Sequence, residues 1–525
     1  MLITRTVGRI VEPLSGRSWS PAAVMDRARA RSMEYGALGL TRGDRVFVHY
    51  GNSLEFFVDL LAIWHAGACV VPIDSRLTPF EVQTLAALAK PKVSVWSESP
   101  DGQMLDALSE LSVDVISKPG AGSPSIPLHT QSRLCLDDPA LILFTSGTTG
   151  NPKGVVHTHR SLRARWTSLA ASLDLECFTR TLCLLPTHFG HGLICNCLFP
   201  WLYGKDLYIL PPFRGDMLMQ LGELIDTHGI TFLSSVPTVW RLATKIAKPP
   251  KKQTLLQVFC GSAPLSQSLW RSVQNWAGTC NVINAYGITE TGSWLAGTTM
   301  TDAQPEDGLI GQAWGGEIRV LRLADTRIPL ASAEECAPGE SGHIWVQTPA
   351  LMKGYLERDD LTSQVVSEGW FSTGDIGLFD SRGYLYLRGR DREEINKGGM
   401  KVYPADIDAV IESFPGTMDV CAFAMNDELL GEDVGVAIVL ESSDDATLVR
   451  LHQWCSQRLA AHQLPRKWFL LEDIPRTSRG KVNRANVATH CSSRTPVPYS
   501  LLLERAGSSP ASQLDRPQER TDGPD

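Results

Sequence analysis

Between about residues 40 and 390, short apolar runs alternate with segments of helical period. Residues 46–50, Val-Phe-Val-His-Tyr, read as a strand, and residues 54–65 as the helix after it. Residues 141–144, 182–185, 207–210, 231–234 and 256–259 are further strand candidates. Most run into a Gly- or Pro-rich turn and then a helical stretch, the pattern of parallel α/β layers. Ligands in that architecture bind at the carboxyl ends of strands, so the chemistry is sought there. The longest apolar stretch, around residues 193–203, holds Asn196 and Pro200 and reads as buried core. No run approaches the ~20 apolar residues that cross a bilayer.

The pattern changes near Arg390. Beyond it come a helix at 405–413, strands at 420–424 and 434–440, a helix at 446–461 and a strand at 468–471. This reads as a small α+β domain, and the expected division is 1–390, 391–491 and a tail at 492–525. The tail is dense in Ser, Pro, Arg and Asp and is expected to be disordered. Residues 97–133, rich in Ser, Pro and Gly, read as a surface excursion with one short helix at 104–111.

Composition narrows the picture little. The 525 residues carry a formal charge of −8, with 43% hydrophobic and 20% charged residues, as in ordinary soluble domains. That balance offers no overall electrostatic case for nucleic acid or an anionic membrane. The 12 cysteines lack paired CxxC spacing and read as reduced, structural thiols. Met1-Leu-Ile-Thr-Arg5 is not a secretory signal, and Gly523-Pro524-Asp525 is no peroxisomal or prenylation signal. A cytoplasmic location is expected.

The strongest chemical signal is Leu141-Ile-Leu-Phe-Thr-Ser-Gly-Thr-Thr-Gly-Asn-Pro-Lys-Gly154. An apolar strand enters a loop of three glycines and four hydroxyl residues, closed by Lys153. Glycines let backbone amides converge on an anion, hydroxyls donate hydrogen bonds, and the lysine adds a point charge. The loop is a phosphate cradle by construction, although it does not fit GxxxxGK[ST].

Thr145-Ser-Gly-Thr-Thr-Gly-Asn-Pro-Lys153 resembles the phosphate loop of the adenylate-forming, AMP-binding superfamily. That superfamily contains acyl- and aryl-CoA synthetases, peptide-synthetase adenylation domains and firefly-type luciferases. Further signatures follow in its order. Cys260-Gly-Ser-Ala-Pro-Leu265 resembles the adenine-binding segment, Tyr286-Gly-Ile-Thr-Glu290 the YGxTE motif, and Ser372-Thr-Gly-Asp375 the STGD motif. Tyr386-Leu-Arg-Gly-Arg390 with Lys397-Gly-Gly-Met-Lys-Val-Tyr-Pro404 resembles the interdomain region. Pro475-Arg-Thr-Ser-Arg-Gly-Lys481 resembles the closing PKTxxGK element, with Arg476 where lysine is usual.

The resemblance implies an α/β fold, with a large multi-sheet N-terminal adenylation domain and a small mobile α+β C-terminal domain. It implies ATP, Mg2+ and coenzyme A as partners of a small carboxylic acid. Thr145, Ser146, Thr148, Thr149 and Lys153 would hold the β- and γ-phosphates, with Gly147 and Gly150 shaping the loop. Gly261, Ser262, Ala263 and Pro264 would line the adenine, Tyr286 would stack on it, and Gly287 would lie beside it. Thr289 would contact the α-phosphate and Glu290 would coordinate the metal, a hard cation that shares carboxylate and phosphate oxygens. Asp375 would bind the ribose hydroxyls with Arg390 assisting. Arg392 would be the hinge, and Lys481 would bridge the carboxylate and the α-phosphate. Phe189, Val236 and Trp294 would line the acyl pocket.

The histidines add less. His159 reads as helix start or packing, and His188 stands one position before the histidine of related synthetases, where this chain has Phe189. The HxxH spacing of His188 and His191 is poor metal geometry, so no zinc site is expected. Residues 189–201 hold no aspartate to pair with a substrate ammonium, which disfavours an α-amino acid. The resulting expectation is a carboxylic acid–CoA ligase. Its rivals are an enzyme that loads a carrier-protein phosphopantetheine, a luciferase-type oxygenase and a nucleotide binder without turnover.

Overall fold

The computed structural model describes residues 7–118, 135–146, 152–211, 215–299, 304–322, 332–397, 400–427, 430–477 and 481–498. Gly147, Thr148, Thr149 and Gly150 of the expected phosphate loop lie outside the described residues, as do 499–525 of the expected tail. The chain divides into two compact units. The first comprises Met1–Leu265, Leu269–Thr373 and Gly377–Leu387; the second comprises Ser266–Ser268, Gly374–Ile376 and Arg388–Asp525.

The first unit contains a seven-stranded sheet in the order Gly354–Tyr355, Pro152–Thr158, Pro139–Ser146, Cys69–Pro72, Arg45–Val48, Val93–Trp96, Asp114–Ser117. Its five strands from Pro139–Ser146 to Asp114–Ser117 are parallel. The helix Leu54–His65 shows why. Ser53 caps it, accepting from the Phe56 N–H, and every residue but His65 is buried. Nine of its twelve residues are apolar, so it belongs in the interior, and it returns the chain to pair Val46 with Val70 in parallel.

A second sheet runs in parallel through Ile10–Glu12, Asp206–Ile209, Arg180–Cys183, Phe232–Ser235, Gln257–Gly261 and Val282–Ile288. It then turns antiparallel at Ser293–Gly297 and Leu309–Ala313. The parallel pattern read from the apolar runs therefore covers only part of the unit. The reason is connection length. Only the 3-10 turn Thr289–Thr291 and Gly292 separate Val282–Ile288 from Ser293–Gly297, and a parallel return needs a crossover of about a dozen residues. The same limit acts on Pro139–Ser146 and Pro152–Thr158, which pair antiparallel across residues 147–151. The phosphate-loop motif thus lies between two antiparallel strands, with Lys153 on the second of them.

The excursion expected at 97–133 contains the helix Gly102–Ser109 and a further edge strand, Asp114–Ser117, paired with Val93–Trp96. The apolar stretch near 193–203 is core: the π-helix His191–Leu198 and the helix Phe199–Leu202 are buried throughout. Among the described residues no helix is long and apolar enough to cross a membrane.

The second unit carries a sheet in the order Met400–Val402, Ile395–Lys397, Gly431–Leu440, Lys467–Leu470, Val497–Pro498, with Thr417–Asp427 also paired to Gly431–Leu440. Helices Pro404–Glu412 and Asp445–Ser456 bury Ile407, Ile411 and Leu451 in a cluster with Val436, Ile438 and Trp468. The second of these ends five residues before the expected 461, where Gln457 caps it. Val497–Pro498, inside the stretch expected to be tail, adds an edge strand to Lys467–Leu470. Proline is tolerated at such an edge, where no ladder hydrogen bond is asked of it.

Two helices of the first unit are joined by a buried polar cluster. Arg31 of Pro21–Ala37 donates to Asp59 of Leu54–His65 at 2.7 Å, and the hydroxyls of Tyr35 and Tyr50 donate to the same carboxylate. Asp59 is fully buried, so removing its cation leaves an uncompensated charge inside. Arg31→Met is expected to cost about 3–5 kcal/mol, read as a lowered urea midpoint of the first unit with the second unit's transition unchanged.

Candidate active site

The hairpin strands set the first group in place. Thr145 lies opposite Lys153, and Ser146 opposite Pro152. Lys153 is therefore fixed on a strand, and its Nζ stands 5.2 Å from the centre of the Tyr355 ring. Tyr355 comes from the two-residue strand Gly354–Tyr355, which pairs with Pro152–Thr158. Its hydroxyl donates to Oε1 of Glu290 at 2.8 Å. A cation, an aromatic ring and a carboxylate are thereby linked across three separate chain segments. Lys153 and Glu290 were expected at the phosphates; Tyr355 between them was not.

Thr289 and Glu290 occupy the 3-10 turn Thr289–Thr291. The strand before it carries a bulge between Tyr286 and Gly287. A Cβ on Gly287 would stand 2.0 Å from the Ser293 carbonyl oxygen, so the hairpin closes only with glycine there. Gly292 ends the turn at a φ of +75°, a left-handed conformation that favours glycine. Four carbonyls of this turn each have a donor from elsewhere. Thr289 O accepts from His157 Nε2 at 2.8 Å, and Glu290 O from the Met352 N–H at 2.7 Å. Thr291 O accepts from Arg165 Nε and Nη2 at 3.1 and 2.9 Å, and Gly292 O from the Cys195 thiol at 3.4 Å.

Two of the expected acyl-pocket residues, Phe189 and Trp294, lie beside His191. Its Nδ1 is 2.9 Å from the Ser262 hydroxyl and its Nε2 is 2.6 Å from that of Ser234. Ser262 adopts a left-handed φ of +69°, directly after the strand Gln257–Gly261. The Trp294 ring packs edge-on to His191, with centres 5.5 Å apart, and against Phe259 at 4.7 Å. Phe189 lies 6.0 Å from His191, and Val236 caps the helix Pro237–Ile246. Ala263 and Pro264 are exposed, while Tyr286 is buried beside Leu295 and Ile310. His188 meets an acidic partner from far away in sequence: its Nε2 is 3.5 Å from Asp74 Oδ2. Burial would raise the Asp74 carboxyl, but hydrogen bonds from Arg76 and the nearby His188 charge hold it below its ordinary value. Among the described residues no group of three or more His, Cys, Asp and Glu could hold a metal by itself.

Within the second unit, Arg390 Nε lies 3.0 Å from Oδ1 of Asp375, which is buried. Arg392 sits in the 3-10 turn Asp391–Glu393. Lys397 turns into its own unit and pairs with Asp433 at 2.6 Å. Lys481 is exposed, and its carbonyl accepts from the Thr477 N–H at 2.8 Å. Its own N–H donates to the Thr477 hydroxyl at 3.2 Å. Arg476, where lysine is usual, donates to Asp419 at 2.5 Å.

Three residues at the site escaped the sequence reading, Tyr355, Arg165 and Asp74, as did the bond from His157 to the Thr289 carbonyl. Arg165 left a trace, because it shares the buried stripe of the helix His159–Ser172 with Leu162, Trp166 and Leu169. An arginine on an apolar stripe invites a question about its partners. Tyr355 left none, since Glu290 is 65 residues away in the chain.

The profile of the AMP-binding enzyme family matches residues 10–356, and that of the AMP-binding enzyme C-terminal domain matches residues 406–481. The sulfoacetate–CoA ligase of Cupriavidus necator is 30% identical over 499 residues, covering 92% of this chain and 94% of that protein. The long-chain-fatty-acid–CoA ligase FadD13 of Mycobacterium tuberculosis is also 30% identical, over 88% of this chain and 90% of its own. Among solved structures, ATP-bound MatB from Rhodopseudomonas palustris superposes with a TM-score of 0.82 at 26% identity, covering 93% of this chain and 97% of that one.

Three buried histidines give the first unit a pH signature. Burial lowers His49 to about 3 and His157 and His159 to about 4. His49 stacks on Trp96 with ring centres 3.8 Å apart, and His159 opens its helix edge-on to Trp64. All three are neutral in the fold at pH 7, and the unfolded chain takes up their protons first as pH falls below about 6.5. Their contribution is complete above that pH and is lost progressively toward pH 4. Urea midpoints are expected to drop between pH 7.5 and 5, and His49→Phe should reduce that drop by about 2 kcal/mol.

Proposed function

The chain belongs to the AMP-binding enzyme family, and on that premise we propose that it is a carboxylic acid–CoA ligase. It forms an acyl-adenylate from the acid and ATP, and then passes the acyl group to the thiol of coenzyme A. The observation that carries the reading is the pinned turn bearing Thr289 and Glu290, with the Tyr355 hydroxyl on Glu290 and the Tyr355 ring beside Lys153. The names of CoA ligases to which the chain is similar support coenzyme A as the acceptor.

A carboxylate is a poor electrophile. Attack of its oxygen on the α-phosphorus forms a C–O–P bond, breaks the bond to the β-phosphate and releases pyrophosphate. The thiolate then attacks the acyl carbon and AMP leaves. Two anions must meet in the first step, so charge and oriented donors are required before the reaction begins. Lys153 supplies positive charge to the terminal phosphates, Thr289 a hydroxyl to the α-phosphate, and Lys481 a cation between the two reacting anions. Glu290 fits a hard divalent cation, since one carboxylate oxygen is fixed by Tyr355 on a turn that is itself held. Magnesium at that place would neutralise phosphate charge. Asp375, with Arg390 beside it, accepts hydrogen bonds from the ribose.

The acid is one without a cationic group near the carboxylate. At equal identity to this chain, two relatives carry the names of very different acids, sulfoacetate and long-chain fatty acids. A substrate panel therefore decides its length. Pyrophosphate release is expected to depend on ATP, Mg2+ and one class of acid, with an acyl-CoA product when coenzyme A is present. Lys481→Ala should slow it by about 100- to 1000-fold, with ATP binding retained. Release that yields acyl-AMP but never a CoA thioester would move the acceptor to a carrier protein. Silence across a broad panel from folded protein would overturn the reading.

A further inference from the structure

Arg165 has a setting that ordinary packing does not require. It lies on the helix His159–Ser172 and is fully buried. Among the described residues no carboxylate stands within ion-pair distance of it. Its guanidinium instead donates to main-chain oxygens of Thr291 and Trp314, the latter at 2.8 Å, and to the Thr348 hydroxyl at 3.3 Å. A buried charge without a counter-ion costs stability, and an apolar side chain of similar size would fill the same stripe. The fork does what an apolar side chain cannot. It ties the Thr291 carbonyl, in the turn that carries Thr289 and Glu290, to two other segments of the first unit.

The neighbouring contacts converge on the same few atoms. The next carbonyl, Gly292 O, takes the Cys195 thiol, and Thr289 O takes His157 Nε2. A Cβ on Gly292 would press on the Arg165 Cβ and Cγ at 3.3 and 3.4 Å, so arginine and glycine fit each other closely. We propose that Arg165 is a positioning residue for the adenylation step: through the Thr291 carbonyl it holds the Thr289–Thr291 turn in the geometry that Thr289 and Glu290 need at the phosphates. The inference rests on the roles given to those two residues under the proposed function.

The test uses the full-length protein with Arg165→Met, Arg165→Lys, Gly292→Ala and Glu290→Gln. Acid-dependent exchange of pyrophosphate into ATP gives kcat and both KM values, and calorimetry gives the affinity for ATP with Mg2+. Arg165→Met is expected to lower the exchange kcat by between about tenfold and a hundredfold and to weaken ATP binding several-fold, with the KM for the acid nearly unchanged. Arg165→Lys, which keeps the charge but not the fork, should recover part of the loss. Gly292→Ala should move kcat and ATP affinity in the same direction from the other side of the contact. If Arg165→Met does not fold, the lysine and Gly292 variants carry the decision. Folded Arg165 and Gly292 variants with wild-type kcat and ATP affinity would overturn the proposal, as would a loss that vanishes when rates are expressed per folded molecule. With Glu290→Gln inactive, that outcome removes only the clamp. With Glu290→Gln also fully active, the reading of the turn falls and the clamp with it.

Discussion

Four consecutive carbonyls, from Thr289 to Gly292, are each held by a donor from elsewhere in the first unit. Much of the site depends on that constraint. A four-residue connection between antiparallel strands has little stiffness of its own, yet it carries the hydroxyl and the carboxylate assigned to the phosphates. Preorganised groups act on developing charge without reorganisation at the moment of reaction. Here the order comes from His157, the Met352 N–H, Arg165 and Cys195, supplied by segments that fold around the turn. Glycine at 287 lets the hairpin close against the Ser293 carbonyl, and glycine at 292 leaves room for the Arg165 side chain.

The same economy explains the phosphate hairpin. Residues 147–151 join two antiparallel strands, so Lys153 stands on a β-ladder opposite Thr145. Its neighbour Tyr355 is held by a two-residue strand on that ladder's outer edge. Lys153 and Glu290 are thus placed by sheet register, and an aromatic side chain that donates to one of them faces the other. In the second unit, Arg476 and Lys397 pair with Asp419 and Asp433, and Lys481 is exposed.

Much of this was legible in the residues because the signals were local. The strands and the helix Leu54–His65 came from apolar periodicity, and the family from six motifs that follow one another in that family's order. What stayed hidden was non-local. Apolar runs do not distinguish a strand that returns in parallel from one that folds back, so the hairpin at 147–151 was missed. Asp114–Ser117 was missed as an edge strand whose residues are half-buried or exposed, leaving no alternation to read. Tyr355, Asp74 and the pinning role of His157 depend on partners that only the fold brings near. Arg165 was visible as an arginine on an apolar stripe, but its meaning lay in the carbonyl it reaches.

The central claim is that a carboxylate oxygen of the substrate attacks the α-phosphorus of ATP. The most direct measurement is the fate of that oxygen. With whichever acid supports turnover, labelled with 18O in its carboxylate, the product AMP should carry one 18O atom per thioester formed, and the pyrophosphate none. Label in the terminal phosphate, or ADP as the nucleotide product, would mean an acyl phosphate route and would contradict the account.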